Sequence, residues 1–234
     1  MHQSKGHIAS RRQFLGRAAT LGAGSLFYQV PGLFAQELTR TPQQTEGPYY
    51  PNRLPLDTDN DLLVINDNLT PAVGDIIELS GRVLTPAGSP VRNAEVEIWQ
   101  ADHTGAYIHS SSAGYSNRDL NFQGYGRFET ASTGEYRFRT IKPALYEGRT
   151  RHIHIKVTAS GQPTLTSQLY FADEPANRGD NIWGRLDPTE RAAVTADLFP
   201  IADSTVDAAA MTIDVVLGEE ARSGRPGRGR FGRR

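Results

Sequence analysis

The chain contains no cysteine. Disulfides, thiolate metal ligands and cysteine nucleophiles are therefore excluded together. Any bound metal must be held by His, Tyr, Asp or Glu side chains. A long uninterrupted apolar run is also missing. The one candidate, residues 18–35, is broken by glycines and Pro31 and is short for a membrane span. Nor does one sign of charge dominate, since the formal net charge is −1. That balance hides an asymmetry. Residues 1–35 carry Lys5, Arg11, Arg12 and Arg17 and no acid, and residues 222–234 carry six arginines and no acid. Between them, 36–221 hold 15 bases against 26 acids. An acidic body is a poor nucleic-acid face, so no nucleic-acid partner is expected.

What is present divides the 234 residues into three parts. Ser10-Arg11-Arg12-Gln13-Phe14-Leu15 and the small-residue apolar run behind it read as an export signal cut after Ala35. The paired arginines before Phe-Leu resemble the twin-arginine type, which implies a periplasmic or secreted protein exported already folded. No stable membrane insertion is expected once residues 1–35 are removed. Residues 36–218 are expected to form the folded domain, and 219–234 a disordered Gly/Arg-rich tail.

Within the domain the pattern is that of β-structure. Strands are expected over 75–85, 91–100, 134–141, 164–171 and 211–217, and a turn at PAGSP separates the first two. Residues 41–55, rich in Pro, Gly and Thr, read as an ordered loop, and 101–128 as a long irregular segment of the kind that carries function. One helix is legible. Asp187-Pro188-Thr189-Glu190 supplies an N-cap, a proline at the first helical position and a capping glutamate ahead of RAAVTADLF. These elements predict an all-β chain, a β-sandwich with long loops and one short late helix.

The organising stretch is Pro143–Val157, PALYEGRTRHIHIKV. His152 and His154 alternate with Ile153 and Ile155, and residues i and i+2 of a strand share a face. Two imidazoles can thus meet at one metal while the isoleucines enter a core. An isolated His-x-His is more often one solvated face of a strand, so the neighbours Tyr146 and Arg149 carry weight. On residues 80–146 alone the pattern also fits a transthyretin- or carboxypeptidase-regulatory-like binding module without catalysis.

Three motifs tip the balance: Trp99-Gln100-Ala101-Asp102-His103-Thr104-Gly105-Ala106-Tyr107; the set Tyr146, Arg149, His152 and His154; and Thr45-Glu46-Gly47-Pro48-Tyr49-Tyr50. Together they resemble the intradiol ring-cleaving dioxygenases, the protocatechuate and catechol dioxygenase family, over roughly residues 41–217. The resemblance implies one Fe(3+) per chain held by Tyr107, Tyr146, His152 and His154. It also implies Arg149 over the substrate, with Gln168 assisting it. Tyr146 would be the ligand that accepts a substrate proton, and Tyr107 the one that stays bound. The implied reaction cleaves a catechol-type ring between its two hydroxyl-bearing carbons with O2, giving a muconate-type product.

Ferric iron is a hard cation that favours anionic oxygen donors alongside imidazole, so this set suits it. The chain departs from the family in the gap of six residues from Tyr146 to His152, which trims a pocket loop. Nothing in it matches the helical dimerisation region of the catechol enzymes, which leaves a homo-oligomer open. The acidic body and the open pocket favour neutral or bulky catechols. A competing site would combine His103 and His109 with His152 and His154 for copper or zinc.

Overall fold

The computed structural model describes residues 37–66 and 69–218. The expected export signal and arginine tail lie outside the described residues. Among the described residues there are ten strands: β1 (Ile76–Leu84), β2 (Glu95–Trp99), β3 (Tyr125–Glu129), β4 (Glu135–Ile141), β5 (His152–Thr158), β6 (Leu165–Phe171), β7 (Thr195–Ala196), β8 (Phe199–Pro200), β9 (Ala209–Thr212) and β10 (Val215–Val216). The same residues also form helix α1 (Pro188–Val194) and three short 3-10 turns.

In one sheet β1 pairs antiparallel with β4 and parallel with β9 and β10, with β8 beside β9. The other runs β3-β2-β5-β6-β7. Fully buried aliphatic and aromatic side chains from both sheets form one core. Ile77, Leu79, Phe138 and Met211 enter from the first, and Val96, Ile98, Ile153, Ile155 and Leu169 from the second. Each such side chain stabilises the fold by roughly 1.5–3 kcal/mol relative to exposure. The all-β sandwich expected from the sequence is the architecture found.

The alternation in β5 positions the site. Ile153, Ile155 and Val157 belong to this core, while His152 and His154 belong to the opposite face. There a second cluster forms from Trp99, Ala101, Tyr107 and Tyr125, with Tyr49, Tyr50, Ile108 and Tyr146 packed against it. Loop 41–55 and the loop after β2 supply Tyr49, Tyr50 and Tyr107, three of these six rings, so the long connections roof one face of a sheet.

Several expectations need correction. The irregular segment ends in a strand, because β3 pairs with β2 from Trp99↔Tyr125 to Glu95↔Glu129. Its glycines, disfavoured in isolated strands, had hidden the pattern. The stretch 211–217 splits into β9 and β10 around Ile213 and Asp214, whose carboxylate accepts from the Arg82 amide and guanidinium. Helix α1 has the expected capping box but stops at Val194. Thr195 then pairs with Tyr170 as a strand, since sheet hydrogen bonding outcompetes further turns at a β-branched residue. Among the described residues no helix is long and apolar enough to cross a membrane.

Candidate metal centre

His152 and His154 are both 2 % exposed, and their Nε2 atoms lie 3.2 Å apart. The His152 Nδ1–H donates to the Thr150 carbonyl at 2.6 Å, which leaves the Nε2 lone pair facing the site. Burial pushes the His152 imidazole down to about 4 and His154 well below its ordinary value, and Arg149 works in the same direction on both. Both rings are therefore neutral at pH 7. His154 stacks on Trp99, its register partner across β2 and β5, at 4.7 Å and 10° between planes.

Tyr107 reaches this pair from the loop after β2. Asp102 builds that loop: its Oδ1 accepts from the Thr104 and Ala106 amides, and its Oδ2 from the Asp119 amide. Gly105 (φ 91°) lets the loop approach the next segment, where a Cβ would lie 2.8 Å from the Leu145 carbonyl oxygen. The Tyr107 hydroxyl then sits 3.4 Å from His152 Nε2, and its ring meets Tyr146 edge-on at 5.0 Å. Burial raises both phenols above their ordinary value, most strongly Tyr107, while its own contact with Tyr107 and the nearby Arg149 partly offset the rise at Tyr146.

Tyr146 and Arg149 are joined by a tight turn. The Arg149 amide donates to the Tyr146 carbonyl at 2.8 Å, and both central residues are left-handed, Glu147 at φ 44° and Gly148 at φ 76°. Glu147 is close to Arg149 in sequence, but the structure pairs Arg149 elsewhere. Its Nε donates to Asp180 Oδ2 at 2.7 Å and its NH2 to Gln168 Oε1 at 2.7 Å. Gln168 is the register partner of His154 on β6, and its Nε2 donates to the Thr45 carbonyl. The Asp180 side chain is wholly buried. Burial opposes its charge, but Arg149 and the Trp183 and Thr150 amides outweigh that and hold the carboxyl below its usual value.

The residues present fit a metal ion. Two neutral imidazoles and a phenol converge, and the buried His154 Nδ1 has no hydrogen-bond partner. With His152 Nδ1 protonated, the proton on His154 belongs on Nε2, facing His152. A cation between the two rings would take both Nε2 lone pairs and move that proton to Nδ1. Among the described residues no group of three or more His, Asp or Glu side chains could hold a metal, and the Tyr107 hydroxyl lies beside the histidine pair. This overturns the all-histidine site. His103 sits beside Asp119 at 3.8 Å, and His109 packs on Tyr49 with its Nδ1 accepting from the Ser111 amide.

The dioxygenase family model matches residues 45–219. The chain belongs to the intradiol dioxygenase family. It is 39% identical to the protocatechuate 3,4-dioxygenase beta chain of Burkholderia cepacia over 119 residues, 47% of this chain and 51% of that one. It is 32% identical to the catechol 1,2-dioxygenase of Acinetobacter baylyi over 158 residues, 60% of this chain and 49% of that one. The chain thus spans about half the length of the curated relatives it matches. A solved dioxygenase domain from a carbohydrate-binding fusion of Streptomyces sp. SirexAA-E shares 34% identity at a TM-score of 0.59, covering 78% of this chain and all of that one. Catechol 1,2-dioxygenase from Acinetobacter sp. ADP1, at 24% identity and a TM-score of 0.61, shares the fold over 89% of this chain and 68% of that one. The family depends on non-haem iron, and the match, which continues to residue 219, favours it over the non-catalytic module.

For an intradiol dioxygenase, the structure brings together all six residues expected from the sequence: Tyr107, Tyr146, Arg149, His152, His154 and Gln168. Sequence reasoning missed Asp180, Thr150, Asp102 and the Trp99 stack. Trp99 and Asp102 stand in the Trp99–Tyr107 motif, but no local pattern encodes the cross-strand register that stacks Trp99 on His154. Tyr49, from the Thr45–Tyr50 motif, packs 5.3 Å from the Tyr107 ring and 5.9 Å from Tyr146. Beside these residues a cavity of about 290 Å³ opens, lined by Leu145, Tyr146, Glu147, Gly148, Arg149 and Ala176. A larger one of about 660 Å³ shares no lining residue with the site.

Proposed function

We propose that the protein is a ferric intradiol dioxygenase that cleaves a catechol-type ring between its hydroxyl-bearing carbons with O2, giving a muconate-type product. The observation that carries this reading is the meeting of two neutral imidazole Nε2 atoms 3.2 Å apart with the Tyr107 hydroxyl at 3.4 Å. Tyr107, Tyr146, His152 and His154 would hold one Fe(3+) per chain. When bound, the ion would supply a Lewis acid that favours the doubly deprotonated catechol, whose ring is electron-rich toward oxygen.

The chain's own residues do the rest. Tyr146, on the turn beside the cavity, is the phenol placed to take a proton from the substrate at its Oη. Tyr107, 1 % exposed and locked by the Asp102 loop, is the ligand that stays. The Arg149 guanidinium borders the cavity already oriented by Asp180 and Gln168, so it stabilises developing negative charge without reorganising. Trp99 and the stacked rings keep water from the imidazoles.

Turnover of catechol under labelled dioxygen tests the proposal. A muconate carrying both labelled oxygens is expected, whereas an extradiol semialdehyde, or no product from iron-loaded protein, overturns it. The periplasmic or secreted location by twin-arginine export belongs to the same proposal. Arg11→Lys with Arg12→Lys should strand the precursor in the cytoplasm, and unchanged export would refute that route.

A further inference from the structure

The turn that joins Tyr146 to Arg149 exposes a carboxylate at the edge of the site. Glu147 takes a left-handed φ of 44°, uncommon for a residue with a side chain, and it lines the same cavity as Tyr146 and Arg149. Its carboxylate is held in place. The Tyr49 hydroxyl donates to both Glu147 oxygens, at 3.0 and 3.1 Å, and the Tyr49 ring lies against Tyr107 and Tyr146. The negative charge is thus tied to a ring that is itself part of the site wall.

The cations nearest to it in sequence are committed elsewhere. Four lie between residues 142 and 156, and each has its own acid: Lys142 with Asp173, Arg149 with Asp180, Arg151 with Glu174 and Lys156 with Glu46. Glu147 forms no ion pair among the described residues. Its charge therefore acts on whatever enters the cavity.

We propose that Glu147 sets the charge class of the substrate: catechols with neutral or cationic ring substituents are accepted, and those with an anionic substituent such as a ring carboxylate are disfavoured. The inference rests on the catechol-cleavage reading above and specifies its substrate. A ring held at the His152–Tyr146 centre would direct a substituent outward past the turn, toward Glu147. There an anion meets like charge, and none of the four cations of residues 142–156 is free to receive it. Two charges several ångströms apart at a partly hydrated site alter binding on the order of fivefold.

The test uses the full iron-loaded protein with three catechols matched in ring position: 4-methylcatechol (neutral), 3,4-dihydroxybenzoate (anionic) and dopamine (cationic). Expected for the native protein is a lower kcat/KM for the anion than for the neutral compound, with the gap narrowing as salt is added. Glu147→Gln should raise the anion-to-neutral ratio about fivefold and lower the cation-to-neutral ratio, and Glu147→Lys should carry both changes further. Tyr49→Phe removes the hydrogen bond but not the charge, and should preserve the native ranking. Product from all three compounds in ratios that neither Glu147 variant moves by more than about twofold overturns the charge proposal alone. No ring-cleaved product from any of the three overturns the catechol reading itself.

Discussion

Arg149 and Asp180, thirty-one positions apart, form a partly buried ion pair with the Nε proton donated to Oδ2 at 2.7 Å. Asp180 also accepts from the Thr150 amide, and the Thr150 carbonyl in turn fixes His152. One aspartate therefore orients both the cation beside the cavity and one of the imidazoles.

Replacing it tests that coupling. Asp180→Asn leaves the Arg149 charge without its counterion; breaking a fully buried pair costs about 3–5 kcal/mol, and with Arg149 19% exposed the loss should be smaller. Denaturant unfolding should show that loss. Paired with Arg149→Ala, the two changes should be less than additive, because each removes the same contact. Strict additivity would separate the two residues.

Metal binding should depend on the strand pair and not on the loop histidines. His152→Ala or His154→Ala should abolish bound iron and its visible colour, measured by metal analysis and absorption. His103→Ala and His109→Ala should leave the metal content unchanged. Loss of metal in the second pair would reinstate the all-histidine site.

The two tyrosines should separate by phenotype. Tyr146→Phe should keep part of the iron and lose turnover by roughly 10²–10⁴-fold, the usual cost of a missing proton acceptor. Tyr107→Phe should weaken iron binding and shift the charge-transfer band, because the deeply buried phenol stays bound. An exchange of these outcomes would reverse the assignments.

Trp99→Leu removes the ring stacked on His154 while keeping an apolar side chain. Iron affinity should fall about 10–100-fold, as for other supports behind a ligand, while far-ultraviolet dichroism stays native. Unchanged affinity would make the stack mere packing.

Metal-free protein should lose stability in acid. The His152 imidazole falls from 6.5 unfolded to about 4 in the fold, and His154 shifts the same way. At pH values between those limits the unfolded chain binds protons that the folded chain does not. The stabilisation is thus complete above about 6.5 and lost as pH falls toward 4, by about 3 kcal/mol for His152. Urea unfolding in chelator at both ends of the window measures it; a flat profile would contradict the neutral pair.

The sequence alone determined the residues whose relationship is local. A period of two put His152 and His154 on one face and Ile153 and Ile155 on the other. The capping box of Asp187 and Glu190 started α1 where it was legible. Tertiary structure decided what depends on pairing across the chain. Which strand flanks β5 sets Trp99 under His154 and Gln168 beside it, and no local pattern encodes that register. The partner of Arg149 was equally out of reach. Glu147 is nearer in sequence, but a left-handed turn gives it to Tyr49, and the buried Asp180 takes the guanidinium instead. Local periodicity follows from backbone geometry, whereas ion-pair choice follows from which charges the finished fold buries together.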